Sequence, residues 1–414
     1  MDAVILCAGS GTRLYPITEN RPKPMIPIAG KPILEHIIEK IENHVEKIYL
    51  VVGFEKEKII DYFYGNEKIE FIVQEKQLGT GHAVLMAKNY IKGDFLVLNG
   101  DVIFESDILE FLNYENAVGL SKVDNPENFG VIELGYDNKV INLLEKPNED
   151  EIKSKFTSNL INAGIYKLEN FVFEILENLL PSERGEIELT DALKKLIESS
   201  KLYGIELNGY WNDIGRPWDV LSANNYFLKN IMPKISGNIE NNVTITGNVI
   251  IEEGVTVKSN SVIEGPVIIK SGAFIGPLAY IRPNTVLMED TFVGNSSEIK
   301  GSIIMKNTKI PHLSYVGDSI IGSDCNFGCN TITANLRFDD EPVTLNIKGT
   351  KVKSVRKFGA VIGDNVKTGI QVSLMPGVKV GSNSIIGANC LVDKDIEKES
   401  FVYKKDELII KKRN

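Results

Sequence analysis

Cysteine and histidine are scarce, with four of each in 414 residues. Cys7, Cys325, Cys329 and Cys390 contain no CxxC pair and no regular framework. That argues against a zinc site and a disulfide scaffold, and leaves small buried hydrophobes suited to a reducing compartment. No apolar run approaches the ~20 residues of a membrane span. The opening MDAVILCAG lacks the basic n-region and cleavage site of a signal peptide. Long basic runs are missing too, and the net charge of −10 is spread along the chain. The expectation is therefore a cytoplasmic protein with no nucleic-acid and no membrane partner, in which any anion is met by local clusters of Lys and Arg. What is present is ordinary for a soluble globular protein: 43% apolar and 25% charged residues, over a length that suggests two domains.

Residues 1–228 alternate between strand-like and helix-like patterns. AVILC (3–7), KIYLVV (47–52), KIEFIV (68–73) and DFLVLNGD (94–101) read as strands. Between them PILEHIIEKIENHV (32–45), with Ile33, Ile37, Ile38, Ile41 and Val45 on one face, KEKIIDYFY (56–64) and GHAVLMAKNYI (81–91) read as helices. Such alternation predicts an α/β domain with a mixed, mostly parallel, Rossmann-like sheet, whose ligands bind outside the carboxyl ends of the strands. Both AGSGTR and NGD fall there. A helix at 217–230 joins this half to the next.

From about residue 235 the pattern changes. Eleven aliphatics from Ile239 to Ile299 recur every sixth residue; later registers run through Ile304, Ile310, Val316, Ile321 and Phe327, then Ile362, Thr368, Leu374, Val380, Ile386 and Val392. One inward aliphatic per six residues is the signature of hexapeptide repeats wound into a triangular, left-handed parallel β-helix. Glycine often follows the aliphatic (VGN, VGD, IGS, IGD), and is expected to turn the corners. The repeat breaks at about 334–360, read as a long loop with a functional or interface role. The expected division is 1–228, 229–398 and a C-terminal tail 399–414.

Chemistry in the first half centres on GSGTRL, residues 9–14. Leu14 stands where the dinucleotide fingerprint GxGxxG needs its third glycine, and the Walker pattern GxxxxGK[ST] is absent. What remains is a run of backbone N–H donors with Arg13, suited to cradling a polyphosphate. Lys23 lies between Pro22 and Pro24, in a stiff segment that suits a lysine aimed at a fixed charge. Asp101 and Asp213 end separate apolar strands. Two convergent carboxylates suit Mg²⁺, which shares its remaining shell with phosphate oxygens.

AGSGTR, RPKPMIPIAGKPILE, GTGHA, NGD, EKP, INAGIY and WNDIG follow one another as in the sugar-1-phosphate nucleotidylyltransferases, which residues 1–225 resemble. The resemblance implies attack of a sugar 1-phosphate oxygen on the α-phosphorus of an NTP, with pyrophosphate leaving. It implies that Leu6, Ala8, Gly9, Gly11, Arg13 and Lys23 bind the nucleotide, with Arg13 and Lys23 acting on its phosphates. It assigns the base to Gln74, Gly79 and Thr80, the sugar phosphate to Gly130, Glu145, Lys146 and Asn162, and Mg²⁺ to Asp101 and Asp213. Transfer of this kind needs alignment and charge neutralisation rather than a covalent nucleophile.

Of the histidines, His36 and His44 lie on the helix 32–45 as surface or packing residues. His82 opens a helix beside the expected base site, where it reads as a local hydrogen-bonding group. His312 sits inside the coil, in KIPHLSYVGDS. YIRPNTV (280–286), SSEIKGS (296–302), PHLSYVGD (311–318), CNFGCNTITAN (325–335) and VIGDNV (361–366) are similar to the acetyltransferase half of the bifunctional N-acetylglucosamine-1-phosphate uridylyltransferase/glucosamine-1-phosphate acetyltransferases. That resemblance covers roughly 237–395. It implies acetyl-CoA as co-substrate, His312 as general base, and Arg282, Lys300, Tyr315, Asn326 and Asn335 on the sugar phosphate and thioester. It places Cys329 and Ala388 on the CoA path and a homotrimer with sites between neighbours.

Two departures stand out. Leu336 occupies the place of a tyrosine in the bacterial enzymes. The segment 337–360 is rich in Arg and Lys (Arg337, Lys348, Lys351, Lys353, Arg356, Lys357), which suit either CoA phosphates or a solvated face. The combination resembles archaeal two-domain enzymes that make UDP-N-acetylglucosamine, while UTP and dTTP both stay open as the nucleotide. The alternatives are a glucose-1-phosphate thymidylyltransferase or mannose-1-phosphate guanylyltransferase with a purely oligomerising coil, and a non-catalytic nucleotide-sugar binder.

Overall fold

The computed structural model describes residues 1–182 and 185–405; the expected tail lies partly outside the described residues, at 406–414. The chain forms two compact units. One comprises Met1–Ser10, Arg21–Ile26 and Pro32–Ile214; the other comprises Gly11–Asn20, Pro27–Lys31 and the chain from Gly215 onward.

In the first unit the strands Ile69–Val73, Ile48–Val52, Asp2–Cys7 and Phe95–Asn99 lie side by side in that order, all parallel. The parallel run ends there. Leu160–Leu168 pairs antiparallel with both Phe95–Asn99 and Ala117–Lys122, and Tyr203–Glu206 adds to the latter in parallel. Gly130–Leu134 and Val140–Glu145 form an antiparallel hairpin at the same edge, which completes a mixed sheet of nine strands. The helix Ile33–Ile41 buries the isoleucines at 33, 37, 38 and 41, as the periodicity predicts. Val4, Val51, Val97, Leu120 and Tyr166 from the sheet pack with Leu176, Leu193 and Leu196 from the helices Val172–Glu177 and Leu189–Glu198.

The second unit is a parallel β-helix. Its strands stack into three sets. One runs from Lys234–Ile235 to Lys379–Val380, and one from Thr244–Thr246 to Leu391–Val392. The third runs from Asn238–Ile239 to Lys309–His312 and continues through single bridges at Asn326 to Lys367–Thr368. The hexad aliphatics align in register from coil to coil, as in Ile251, Ile269 and Leu287, eighteen residues apart. At the second register two successive coils are each one residue shorter: Leu287 pairs with Ile304, and Ile304 with Ile321. From Ile251 to Ile321 these side chains are fully buried. The helix Pro217–Leu228 is anchored on this coil: Leu228 packs on Ile268 and Val286, and Asn224 Nδ2 donates to the Asn284 carbonyl.

Two expectations change. The glycines after the aliphatics mostly do not turn the corners: left-handed backbone falls instead on residues such as Asn260, Asn284, Asp290, Asn307, Asp324 and Asn330. Short polar side chains tolerate that region because they hydrogen-bond locally. Gly294, Gly322, Gly363 and Gly381 are required for another reason. A Cβ at each would lie 2.0–2.7 Å from the adjacent coil (from Pro311 O, Gly363 C, Ser382 N and Lys398 N). The expected loop at 334–360 contains an antiparallel hairpin, Thr344–Ile347 with Thr350–Lys353, turned at Lys348–Gly349 with both residues at positive φ. Leu345 in the hairpin is buried, as are Val343 and Phe358 near it in sequence.

Candidate active sites

Three of the residues expected around the nucleotide meet directly. The ladder Trp211–Asp213 with Val102–Phe104 sets Asp213 opposite Val102, and Ile214 N donates to the Asp101 carbonyl, so both carboxylates reach one place. Lys23, in the short turn Lys23–Met25, is buried and joins them: its Nζ bonds Asp101 Oδ2 and lies 3.5 Å from Asp213 Oδ1. The lysine expected on phosphate is thus held by the two expected metal carboxylates. Among the described residues no group of three or more His, Cys, Asp or Glu side chains forms a ready metal cage. Two partly exposed carboxylates nevertheless fit Mg²⁺, an ion that takes one or two of them and completes its shell with water and phosphate.

The loop after the first strand leaves Gly9 open to its surroundings: a Cβ there would touch nothing. The Ala8 carbonyl is occupied, accepting from Gln77 Nε2 at 2.7 Å and Phe54 N at 3.3 Å, and the Leu6 carbonyl accepts from Gly100 N. Gly11 adopts φ +62°, and Arg13 is exposed on the turn Thr12–Leu14 with no ion pair among the described residues.

The expected base readers form a second group. Gln74 is buried, with Nε2 2.8 Å from His82 Nδ1 and 3.5 Å from the Gly79 carbonyl. Gly79 has φ +101°, and a Cβ would stand 2.5 Å from the Ile187 carbonyl, so only glycine fits. Thr80 Oγ1 accepts from Leu189 N at the start of the helix Leu189–Glu198. Burial lowers the pKa of His82, favouring the neutral ring.

A third group gathers at Gly130. A Cβ there would be 2.9 Å from Glu145 Oε2 and 3.6 Å from Asn162 Cβ, so the glycine keeps these two side chains accessible to each other. Asn162 Oδ1 accepts from Gly164 N, and Lys146 stands exposed with Nζ 4.0 Å from Glu145 Oε1. Trp211, whose Nε1 donates to the Ala163 carbonyl, meets Phe129 edge-on beside the group.

On the coil, Arg282, Lys300, Tyr315 and Asn335 form one network, together with two acids that sequence reasoning missed. Arg282 Nη1 donates to Glu298 Oε1 at 2.8 Å, and Lys300 Nζ to Asp318 Oδ2 at 3.0 Å. Asn335 Nδ2 donates to Asp318 Oδ2 and to the Tyr315 hydroxyl, at 2.5 and 3.2 Å. The signal for both acids lay in SSEIKGS and VGDS, where each stands two residues before or eighteen after a named cation. Gly317 keeps the network open, because a Cβ there would be 2.4 Å from the Tyr315 hydroxyl oxygen. Burial, then the Asp318 charge, pushes the Tyr315 phenol up, so it stays protonated. Arg282 Nε is buried and makes no hydrogen bond.

His312 ends the strand Lys309–His312 with an exposed ring that has no partner among the described residues. The corner it occupies continues along the coil: Asn330 N donates to the His312 carbonyl, Gln371 N to Cys329, and Asn389 N to Ile370. His312, Cys329, Ile370 and Ala388 therefore follow one edge of the prism, coil by coil. Asn326 stands apart, exposed on the side that carries Lys309 and Lys367. Half of the basic segment is neutralised: Arg337, Arg356 and Lys353 pair with Asp339, Asp340 and Glu341. Lys348, Lys351 and Lys357 are exposed without ion pairs among the described residues. Cys7, Cys325 and Cys390 are buried free thiols, and burial pushes Cys325 up to about 12. Among the described residues no helix is long and apolar enough to cross a membrane.

Residues 2–230 match the family described as nucleotidyl transferase. Residues 263–375 match the GMPPB C-terminal domain, and 359–394 the bacterial transferase hexapeptide of six repeats. The chain is 82% identical to a protein called bifunctional protein GlmU from Methanococcus maripaludis (strain C5), over 100% of both chains. It is 45% identical to the bifunctional sugar-1-phosphate nucleotidylyltransferase/acetyltransferase of Sulfurisphaera tokodaii, over 96% of this chain and 98% of that one. A solved structure, a putative glucose-1-phosphate thymidylyltransferase from Bacillus anthracis in complex with a sucrose, is similar at a TM-score of 0.51 and 28% identity. It covers 56% of this chain and 96% of its own.

Proposed function

The chain belongs to the nucleotidyl transferase family and, along its full length, to the bifunctional GlmU proteins within it; from that membership we propose that it makes UDP-N-acetylglucosamine in two steps. The coil transfers acetyl from acetyl-CoA to glucosamine 1-phosphate. The first unit then couples N-acetylglucosamine 1-phosphate to UTP. The observation that carries the reading is the coil group of Arg282, Lys300, Tyr315 and Asn335 on Glu298 and Asp318, with an exposed His312 nearby in sequence. A coil that only oligomerised would need none of these groups.

In the first step the substrate amine attacks the thioester carbonyl, the C–S bond breaks, and the amine proton passes to His312. A histidine suits this because its ordinary pKa, about 6.5, lies near working pH. Arg282 and Lys300 hold the sugar phosphate, Tyr315 and Asn335 orient the sugar, and the corner of His312, Cys329 and Ala388 lies along the pantetheine arm. Asn326 and Tyr315 lie in different strand stacks of the coil, which supports a homotrimer in which one copy's Asn326 serves a neighbour's substrate.

In the second step a phosphate oxygen of the sugar attacks the α-phosphorus and the bond to pyrophosphate breaks. Backbone N–H groups from Gly9 to Gly11, with Arg13, hold the triphosphate. Glu145, Lys146 and Asn162 hold the sugar phosphate around Gly130. Asp101 and Asp213 would hold Mg²⁺, which neutralises charge on the transferred group. Lys23, already between the two carboxylates, supplies a fixed positive charge there.

The test is an assay of the purified protein with glucosamine 1-phosphate, acetyl-CoA, UTP and Mg²⁺. UDP-N-acetylglucosamine is the expected product; a preparation that reacts only glucose 1-phosphate with dTTP refutes the reading. His312→Ala abolishes CoA release and leaves pyrophosphate release from N-acetylglucosamine 1-phosphate intact, and Asp101→Ala does the reverse.

A further inference from the structure

Gln74 is a buried side chain with only half of its amide engaged. At 4% exposure it offers Nε2 to the Gly79 carbonyl, at 3.5 Å, and to His82 Nδ1, at 2.8 Å. A carbonyl oxygen can only accept, so the amide atom beside Gly79 must be the NH₂. His82 Nδ1 then accepts the other amide hydrogen, and its ring carries the proton on Nε2. The amide oxygen of Gln74 has no partner among the described residues. Nor is it one of the buried atoms left without a partner, so it is reachable from outside.

We propose that His82 and the Gly79 carbonyl together lock the Gln74 amide with its oxygen outward, so that the site accepts a pyrimidine bearing N3–H and rejects cytosine. This rests on the nucleotide-binding reading above and deepens it. Uracil and thymine present a donor at N3, which an outward amide oxygen accepts. Cytosine presents an acceptor at N3, which meets that oxygen lone pair to lone pair. Without a lock the amide could rotate by half a turn and accept either base. His82 is a positioning residue in this scheme, acting through Gln74. The lock itself is firmly seated: Gly79 is fixed by Leu78 and Gly81, whose backbone bonds run to Ile187.

The experiment compares kcat/KM for UTP and CTP, with N-acetylglucosamine 1-phosphate and Mg²⁺, in the wild type, His82→Phe and His82→Asn. Phenylalanine keeps the ring and removes the acceptor. The expected result is a roughly tenfold fall in UTP preference over CTP, the worth of one hydrogen bond, carried by KM rather than kcat. Asparagine places Oδ1 close to the former Nδ1 and restores the preference. Equal loss in both variants, or no loss in Phe, overturns the lock. A wild type that uses neither UTP nor dTTP overturns the underlying reading instead.

A second measurement needs no variant. Protonation turns Nδ1 into a donor and breaks the lock, and burial is the only influence shifting His82, downwards. The UTP preference is therefore level above the ordinary histidine range, near 6.5, and falls on its acid side. A ratio that stays level throughout the acid range in which the enzyme is active overturns the proposal.

Discussion

Replacing Lys23 by methionine isolates the charge at the centre of the first site. Methionine keeps most of the buried stem and removes the ammonium from between Asp101 and Asp213. At an effective dielectric of about 20, a carboxylate at 3.5 Å attracts the ammonium by about 5 kcal/mol. The two carboxylates keep 29% and 23% of their side-chain surface, so water recovers much of that. The net loss is about 2–3 kcal/mol, below the range for breaking a fully buried pair. In EDTA that lowers the melting transition of the first unit by roughly 5–10 °C. Millimolar Mg²⁺ returns more to the variant than it adds to the wild type, because two carboxylates that have lost the ammonium gain a cation. Thermal scans of both proteins, with EDTA and with Mg²⁺, decide the matter. A variant that melts with the wild type in EDTA, or one that Mg²⁺ stabilises less, refutes the argument.

Gly79→Ala combines a left-handed backbone cost of about 1–2 kcal/mol with a Cβ 2.5 Å from the Ile187 carbonyl; a lower melting temperature and a raised KM for UTP should appear together, and CoA release should be unaffected. Gly317→Ala meets only the movable ends of Tyr315 and Asn335, so the fold survives while KM for glucosamine 1-phosphate rises about tenfold, with pyrophosphate release unchanged. Ile299→Ala empties a fully buried hexad position and costs about 2–5 kcal/mol, read as a lower urea midpoint.

The coil was legible in the sequence because its physics is local and repeated. Each hexad aliphatic needs only its counterparts one coil away, so Ile251, Ile269 and Leu287 announce the register by spacing alone. The hairpin 344–353 carried a signal too, in the alternation of TLNI and TKVK about Lys348–Gly349, hidden by the number of its charges. The glycines of VGD and IGS were visible, but their reason was not: their constraint is a neighbouring coil, which a single strand does not reveal. The Lys23 contacts were harder still. Its carboxylate partners lie 78 residues away and beyond, and only the ladder between Val102–Phe104 and Trp211–Asp213 brings them together. Pairing of Gln74 with His82 crosses from a strand end to a helix, where no periodicity points.

Apart from the exposed Arg13, the cations closest to both sites are held on carboxylates. Lys23 lies between Asp101 and Asp213, Arg282 on Glu298, and Lys300 on Asp318. This explains how a chain of net charge −10 with no basic run can bind several phosphates. A long cationic side chain left loose loses rotamer freedom when it grips an anion; one already fixed by a carboxylate has lost it on folding. Pairing also weakens attraction for stray anions, so that the sites respond to ligands which supply more than charge. Arg282 shows how binding capacity survives the pairing. Its guanidinium has five N–H donors, and the bond to Glu298 engages only Nη1. Glu298→Gln would then weaken the orientation of Arg282 more than its charge. A raised KM for glucosamine 1-phosphate at unchanged kcat follows if the acid positions the arginine, whereas a lowered KM would mean that the acid merely competes with phosphate.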